Sequence, residues 1–231
     1  GLLCSYGQMS NSQSQTQKSV PHLAVHDALK QRLLEQIPKL AGKKILIVGD
    51  VGLDEYILGE VRRISPEAPV PVLEVEKEDL RLGLSANVAQ NIRSLGGIPM
   101  LVSVVGKDSG AELLSKLFQQ MDVSTNFLIV DPDRPTTRKV RVMAKHHHLV
   151  RVDYELRKYL SANTEKKFLN MIEQNAKEAD AIIIQDYAKG VISDSLLKGV
   201  ISIAKKLKKK IMVDPHRSNH GDFYHGVDLI K

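Results

Sequence analysis

From Lys43 onward the chain alternates short, uniformly apolar runs with segments that repeat apolar residues every three or four positions. "KILIVG", "MLVSVVG", "NFLIV", "AIIIQ" and "KIMV" have the length of strands buried on both faces. "SANVAQNIRSLG", "SGAELLSKLFQQM", "TEKKFLNMIEQNAKEA" and "SDSLLKGVISIAKKL" lie between them with helical period. This rhythm predicts an α/β fold, a doubly wound and mainly parallel sheet covered by helices.

Two segments follow a different period. "YILGEVRRISPEAPVPVLEVEKEDLR" has β-rich ends around a proline-studded middle, and "TTRKVRVMAKHHHLVRVDY" alternates charged with apolar residues. Both read as strands exposed on one face, near residues 56–80 and 136–154, forming a small β lid beside the main sheet. Residues 1–22 read as a disordered polar tail. Residues 23–42 read as an amphipathic helix and linker, with Ala28, Leu33, Leu34 and Ile37 available for packing before Pro38. The α/β domain is expected over 43–231.

Composition narrows the function classes. With no tryptophan and 4% aromatic residues the chain offers no base-stacking surface. Much of the +6 charge is local to "KKLKKK" at a helix end, where lysines complement the dipole, so nucleic acid is not expected as a partner. The single cysteine, Cys4, allows no intramolecular disulfide and fits a reducing cytoplasm. No apolar run approaches the ~20 residues of a membrane span, and "GLLCS" lacks the charged leader of a signal peptide, so no membrane association is expected.

Acids collect at the ends of the apolar runs: Asp50 with Asp54 after it, Asp108, Asp186 and Asp214. Ligands of open parallel sheets bind beyond the carboxyl ends of the strands, so these acids are candidates to face one crevice. Asp108 reads equally as a helix cap, and Asp214, before Pro215, as a turn former. Asp54 suits a grip on vicinal hydroxyls. In "RLGLSANVAQNI", Ser85 is placed to cap a helix whose Ala86, Ala89, Ile92 and Leu95 make an apolar stripe. Alternatively, a ligand rests on that helix end. Neither a P-loop nor a dinucleotide fingerprint is present, and His146 to His148 lack neighbouring ligands, so no metal-binding residue is assigned.

"VGDVGLDEYILGEVRRISPEAPVPVLEVE", "GLSANVAQNIRSLGG", "QDYAKG", "VDPH" and "GVDLIK" together resemble the ribokinase-like sugar kinase family. Within it they are most similar to the branch that phosphorylates heptose 7-phosphate in ADP-heptose synthesis for lipopolysaccharide. The resemblance implies ATP and Mg²⁺ as cofactors, a sugar phosphate as substrate and a homodimer built through the lid. It implies that Asp54 holds sugar hydroxyls while Gly83 and Asn87 let the sugar lie against a helix start. Lys139, Arg141, Lys145 and Arg151 become candidates for the phosphate already on the sugar, with a solvated outer face as their alternative. Lys189 is expected nearer the transferring phosphoryl group, and Asp214 and His216 at the cofactor end.

The chain also departs from the family pattern. Leu84 stands where a glycine is usual in Gly-Gly-Ala-Ala-Asn, and His216 where Asp-Pro-Lys is usual. The sequence stops at "DLIK", before the family's Asn-x-x-Glu and Gly-Ala-Gly-Asp motifs. The expectation is therefore no catalytic residue within these 231 residues, activity depending on a polypeptide that supplies the remainder, or else a non-catalytic sugar-phosphate-binding relative.

Overall fold

The computed structural model describes residues 21–231 except His220, with side chains from residue 28 onward. The polar stretch before residue 21 and Cys4 lie outside the described residues. The described residues divide into two units, one ending at Pro38 and the other running from Lys39 to Lys231. In the first, helix α1 (Pro21–Gln36) begins just inside the stretch expected to be tail and gives way at Pro38 to a 3-10 turn, Ile37–Leu40. The packing expected of this helix is not observed: Ala28, Leu33, Leu34 and Ile37 are all exposed. A single helix has no second layer of its own on which to bury a stripe.

In the second unit six parallel strands form the main sheet, in the order β10-β9-β8-β1-β4-β5. They are β1 (Lys44–Gly49), β4 (Ile98–Val105), β5 (Leu128–Val130), β8 (Ala181–Gln185), β9 (Lys210–Asp214) and β10 (Leu229–Ile230). Alternation along the strands fills two cores. Ile47, Leu101 and Val105 pack with Ala86, Ala89, Leu114 and Phe118 of helices α2 (Ser85–Ser94) and α3 (Ser109–Gln120). Leu46, Val48, Met100 and Val102 pack with Phe168, Ile172, Leu196 and Val200 of α4 (Ala162–Ala176) and α5 (Asp194–Lys206) on the other face. Apolar side chains on both faces explain the unbroken hydrophobic runs of β1 and β8.

β1 sits at the centre, and the chain winds outward from it first through β4 and β5, then through β8 to β10. The carboxyl ends of β1 and β8 therefore flank the point where the winding reverses, the usual mouth of an open α/β sheet. There the chain does not enter a helix. It passes through Asp50 straight into a second, four-stranded sheet of order β3-β2-β6-β7. This is the expected lid: β2 (Val51–Ile64), β3 (Pro71–Leu84), β6 (Thr137–Ala144) and β7 (His147–Tyr154). The proline-rich middle forms the turn between β2 and β3. β2 runs antiparallel to β3 and parallel to β6, so the lid is a mixed sheet rather than a pair of hairpins.

The seam between β1 and β8 is backbone against backbone at the mouth. A Cβ added to Gly49 would stand 2.1 Å from the Gln185 carbonyl oxygen. Gly49→Ala should lower stability by about 1–3 kcal/mol through this forced separation, measured by urea denaturation.

Candidate active site

Asp50 forms the floor of the mouth. Its carboxylate accepts backbone N–H bonds from Tyr187 (3.0 Å), Lys189 (3.2 Å) and Val191 (3.1 Å), all in the loop after β8. Its carbonyl accepts from both the backbone N–H (3.0 Å) and the hydroxyl (2.6 Å) of Ser85. Ser85 is thus not the expected helix cap. The N-cap position is Leu84, whose side chain has no polar atom to make a cap bond, and the Ser85 hydroxyl is committed to the Asp50 carbonyl. Burial pushes the Asp50 carboxyl above its ordinary value, with the Asp186 charge adding to the rise and the three backbone donors opposing it.

The notion that all five acids face one crevice needs correction. Asp186 accepts from Ala188 N–H, from the Tyr224 hydroxyl (2.7 Å) and from Asn219 Nδ2 (3.0 Å). Burial and this carboxylate push the Tyr224 hydroxyl up to about 12. Asp108 caps α3 through Ala111 N–H and also takes the Thr136 N–H. Asp50, Asp108 and Asp186 are therefore each engaged by protein donors and shape the site.

Asp54 is different. On β2 it follows Gly52 at the alternate position, so both share one face of the lid, with Tyr56 next on it. Strand register places Gly83 and Arg81 of β3, Thr137, Lys139 and Arg141 of β6, and Arg151 and Asp153 of β7 on that face. The opposite face of β2 and β3 carries Leu53, Leu80 and Leu82 into the core. Arg141 Nη1 donates to Asp54 Oδ1 at 2.5 Å. Burial works against the Arg141 charge, and Asp54 outweighs it, holding the guanidinium above its ordinary value. Arg141 and Arg81 both stack on Tyr56, with guanidinium carbons 5.1 and 4.9 Å from the ring centre. A Cβ on Gly83 would lie 2.7 Å from Asp54 Oδ2, so glycine is what leaves the carboxylate accessible from β3.

The structure thus brings together Asp54, Gly83, Lys139, Arg141 and Arg151. Arg81 belongs with them and was missed, although its even spacing from Gly83 was a readable signal. Lys145 does not belong. It occupies the β6–β7 turn, pairs with Glu60 at 3.2 Å, and stands roughly 15 Å up the lid from the Asp54 level at ~3.3 Å per residue. Asn87 lies exposed on the first turn of α2.

Lys189 is buried, and its ammonium pairs with Glu155 Oε2 at 2.5 Å, where it was expected to face a phosphoryl group. Burial works to raise the Glu155 pKa, but Lys189 and Arg157 more than offset it and hold the carboxyl below its ordinary value. Glu155 begins a strap that returns from the lid across the loop after β8. Its Lys158 carbonyl accepts from Arg134 (2.6 Å) and lies 2.0 Å from where a Gly190 Cβ would be. Asp214 ends β9 half-buried, facing Lys231 at 3.1 Å, and His216 Nδ1 contacts the Ser218 hydroxyl at 2.6 Å. A cavity of about 220 Å³, lined by Arg157, Tyr159, Asp186, Gly190 and Asn219 among others, opens between strap and β9 loop. A larger one of about 710 Å³ lies at the opposite pole, by the starts of β1 and β4; its position, away from every candidate side chain, sets it apart from this chemistry.

Comparison with known proteins follows the same lines. Residues 51–231 match the family described as pfkB family carbohydrate kinase. "Bifunctional protein HldE" of Caulobacter vibrioides is 42% identical over 200 residues, 86% of this chain and 40% of the relative. The protein of that name from Rhodopseudomonas palustris strain BisA53 is 38% identical over 195 residues, 84% of this chain and 40% of the relative. The chain therefore spans about 40% of the length of these curated relatives. Among solved structures, a ribokinase of Arabidopsis thaliana complexed with ribose and ATP aligns with a TM-score of 0.59 at 15% identity, over 82% of this chain and 59% of that one. A carbohydrate kinase from Agrobacterium tumefaciens aligns at 0.55 and 17%, over 75% and 53%. These likenesses establish a ribokinase-like fold. No helix among the described residues is long and apolar enough to cross a membrane.

Because the folded Asp50 carboxyl titrates above its ordinary value of 3.8, the native state holds its proton more tightly than the unfolded chain does. Stability from this group is fullest below that value and falls as pH rises through the folded pKa. Asp50→Asn removes the titration, so the stability of the native protein minus that of Asp50→Asn should decline from pH 4 upward in urea titrations across pH.

Proposed function

The chain belongs to the pfkB family of carbohydrate kinases, and from that membership we propose that it handles a phosphorylated sugar, heptose 7-phosphate or a similar sugar phosphate, as the acceptor in ATP-dependent phosphoryl transfer. The observation that carries this reading is the single lid face on which Asp54 stands among Arg81, Lys139, Arg141 and Arg151, with Gly83 beside it. A carboxylate accepts from two sugar hydroxyls, and the cations supply charge-assisted bonds to the phosphate the sugar already carries. Neither group alone would select a sugar phosphate over a free sugar or an inorganic anion.

In the resting site Arg141 occupies Asp54. A bound sugar takes that position with its hydroxyls, and Arg141 turns to the phosphate. The Tyr56 ring, 5.1 Å from the guanidinium carbon, offers a stacking surface for that turn. The strap from Glu155 crosses the loop after β8, held by the Lys189–Glu155 pair and by the Arg134 bond to the Lys158 carbonyl.

ATP with Mg²⁺ would supply the phosphoryl group and neutralise its charge. Mg²⁺ commonly keeps several waters and needs one or two carboxylates beside substrate phosphates. Asp214, half-buried at the end of β9, fits that modest demand, with His216 two residues further on; no group of three or more metal-ligating side chains occurs among the described residues. No residue of this chain is assigned as the base that accepts the hydroxyl proton, and that role is proposed for a polypeptide segment beyond these residues. The exposed Val61, Ile64, Val75, Val150 and Val152 of the lid suit a homodimer through that sheet, in the cytoplasm. A second reading, sugar-phosphate binding without turnover, draws support from Lys189, whose charge is already neutralised by Glu155.

Calorimetric titration with heptose 7-phosphate and with ribose 5-phosphate tests the site. Asp54→Asn should weaken both by at least about tenfold, the loss of one hydrogen bond to a charged group. Equal affinity in the native protein and Asp54→Asn would remove Asp54 from the site. ADP release with either sugar separates turnover from binding alone.

A further inference from the structure

The helix dipole accounts for only part of the lysine run that closes α5. Lys205 and Lys206 stand in the last helical turn, and Lys206 Nζ pairs with Glu173 at 2.8 Å. Lys208, Lys209 and Lys210 lie past the helix end, beyond the turn in which the dipole acts. Lys208, with φ 54°, ends the helix in the left-handed conformation and turns the chain into β9. The run is gathered rather than spread. Lys205, Lys208, Lys209 and Lys210 border one cavity of about 310 Å³, bounded also by Gly226 and Asp228 from the segment before β10.

Asp228 is the one carboxylate that borders the cavity, and it is already committed. Its Oδ1 accepts from Lys210 Nζ at 2.7 Å and its Oδ2 from the Ile211 backbone N–H at 2.9 Å. The bond from the Lys210 ammonium holds the Asp228 carboxyl below its ordinary value. Lys209 Nζ donates to the Lys177 carbonyl at 3.1 Å, a neutral acceptor that leaves the charge uncompensated. Lys205 and Lys208 have no ion pair among the described residues. Lys205 lies along the loop before β10: its Nζ is 3.2 Å from the point a Cβ on Gly226 would occupy, so the bare backbone at Gly226, with φ 98°, leaves room for the ammonium. Like charges brought together without counter-charges repel, and an anion between them removes that cost.

We propose that this cavity is a binding site for a compact polyanion of the di- or triphosphate class. An ammonium group is a point charge with three donors and no fixed fork, so several together suit clustered phosphate oxygens. A single phosphate or a sulfate presents fewer charges to the same four lysines and should bind more weakly. The bounded volume favours a compact ligand, whereas an extended polyanion needs a basic stripe along a face. The site is separate from the lid face. β9 starts at this cavity with Lys210 and ends at Asp214, four strand rises or roughly 13 Å away, so the inference does not depend on the reading of Asp54.

The test is calorimetric titration of the full chain with inorganic tripolyphosphate, pyrophosphate and sulfate at low ionic strength. The proteins compared are the native chain, the double variant Lys205→Gln with Lys208→Gln, the double variant Lys166→Gln with Lys167→Gln, and Lys139→Gln. Lys166 and Lys167 are exposed neighbours on α4 that do not border the cavity, so their replacement repeats the change in net charge alone. Tripolyphosphate should bind the native chain more tightly than sulfate, weaken at least tenfold in the Lys205 and Lys208 variant, and weaken less than threefold in the other two. Equal loss in the Lys166 and Lys167 variant would assign binding to net charge, and loss confined to Lys139→Gln would assign it to the lid. Either result, or no binding by the native chain, overturns the site; sulfate binding as tightly as tripolyphosphate overturns the ligand class. Urea denaturation gives an independent readout: tripolyphosphate should raise the midpoint of the native chain and leave that of the Lys205 and Lys208 variant unchanged. An equal rise in both would place the anion elsewhere and overturn the proposal.

Discussion

One buried residue, Asp50, ties the site together. It is the link between the central strand and the lid, and each of its acceptor groups holds a different piece of the mouth. The carbonyl fixes the start of α2 through Ser85, and the carboxylate fixes the loop that carries Lys189. Burying a charge is costly unless it is well bonded, and three backbone N–H groups are the compensation here. The cost falls on stability and the gain on geometry. With Asp50 in place, the helix start, the lid root and the loop after β8 keep fixed positions relative to one another, which a binding site for a small polar molecule requires.

The lid inherits its two faces from this anchor. Because β2 leaves the sheet directly, its buried row, Val51 and Leu53, continues the α2–α3 core, while Gly52, Asp54 and Tyr56 must look the other way. β6 enters beside β2 in parallel register, so the basic residues of "TRKVR" split the same way, Lys139 and Arg141 joining Asp54 and Arg138 joining Glu55 on the opposite side. A one-residue slip would exchange the two sets. The apolar row of β2 and β3 therefore fixes where the charges meet as firmly as any contact between the charges themselves.

The sheet, the helices and the lid were legible in the amino-acid sequence because each follows a local period. The Asp54 site was legible through resemblance, and the shared face of Lys139 and Arg141 through alternation alone. Local pattern could not reveal which acids were already satisfied. Asp50 and Asp54 look alike in "GDVGLDEY", yet one is bonded by backbone N–H groups of the loop after β8 and the other pairs with Arg141 on the lid. The pairing of Lys189 with Glu155 is equally invisible, since it depends on how the strap crosses the loop after β8. Leu84 was legible as an unusual residue. Its backbone angle, φ 55°, is one that no hydrophobic pattern encodes.

The resting pair between Asp54 and Arg141 can be displaced because it is only partly buried. Each side chain keeps about a quarter of its surface in water or less, 26% and 21%, and pairs near the surface contribute on the order of 1 kcal/mol. A ligand of the proposed kind, offering hydroxyls to Asp54 and a phosphate to Arg141, would replace one charge-assisted contact with several. A free sugar would leave Arg141 without a carboxylate, and an inorganic anion would leave Asp54 without a donor. The pair thus disfavours either half of the ligand alone. Lys189 and Glu155 present the contrasting case, since both are more deeply buried, at 10% and 13% exposure. Removing either partner would strand a charge in a low-dielectric setting, which makes that pair a brace for the strap.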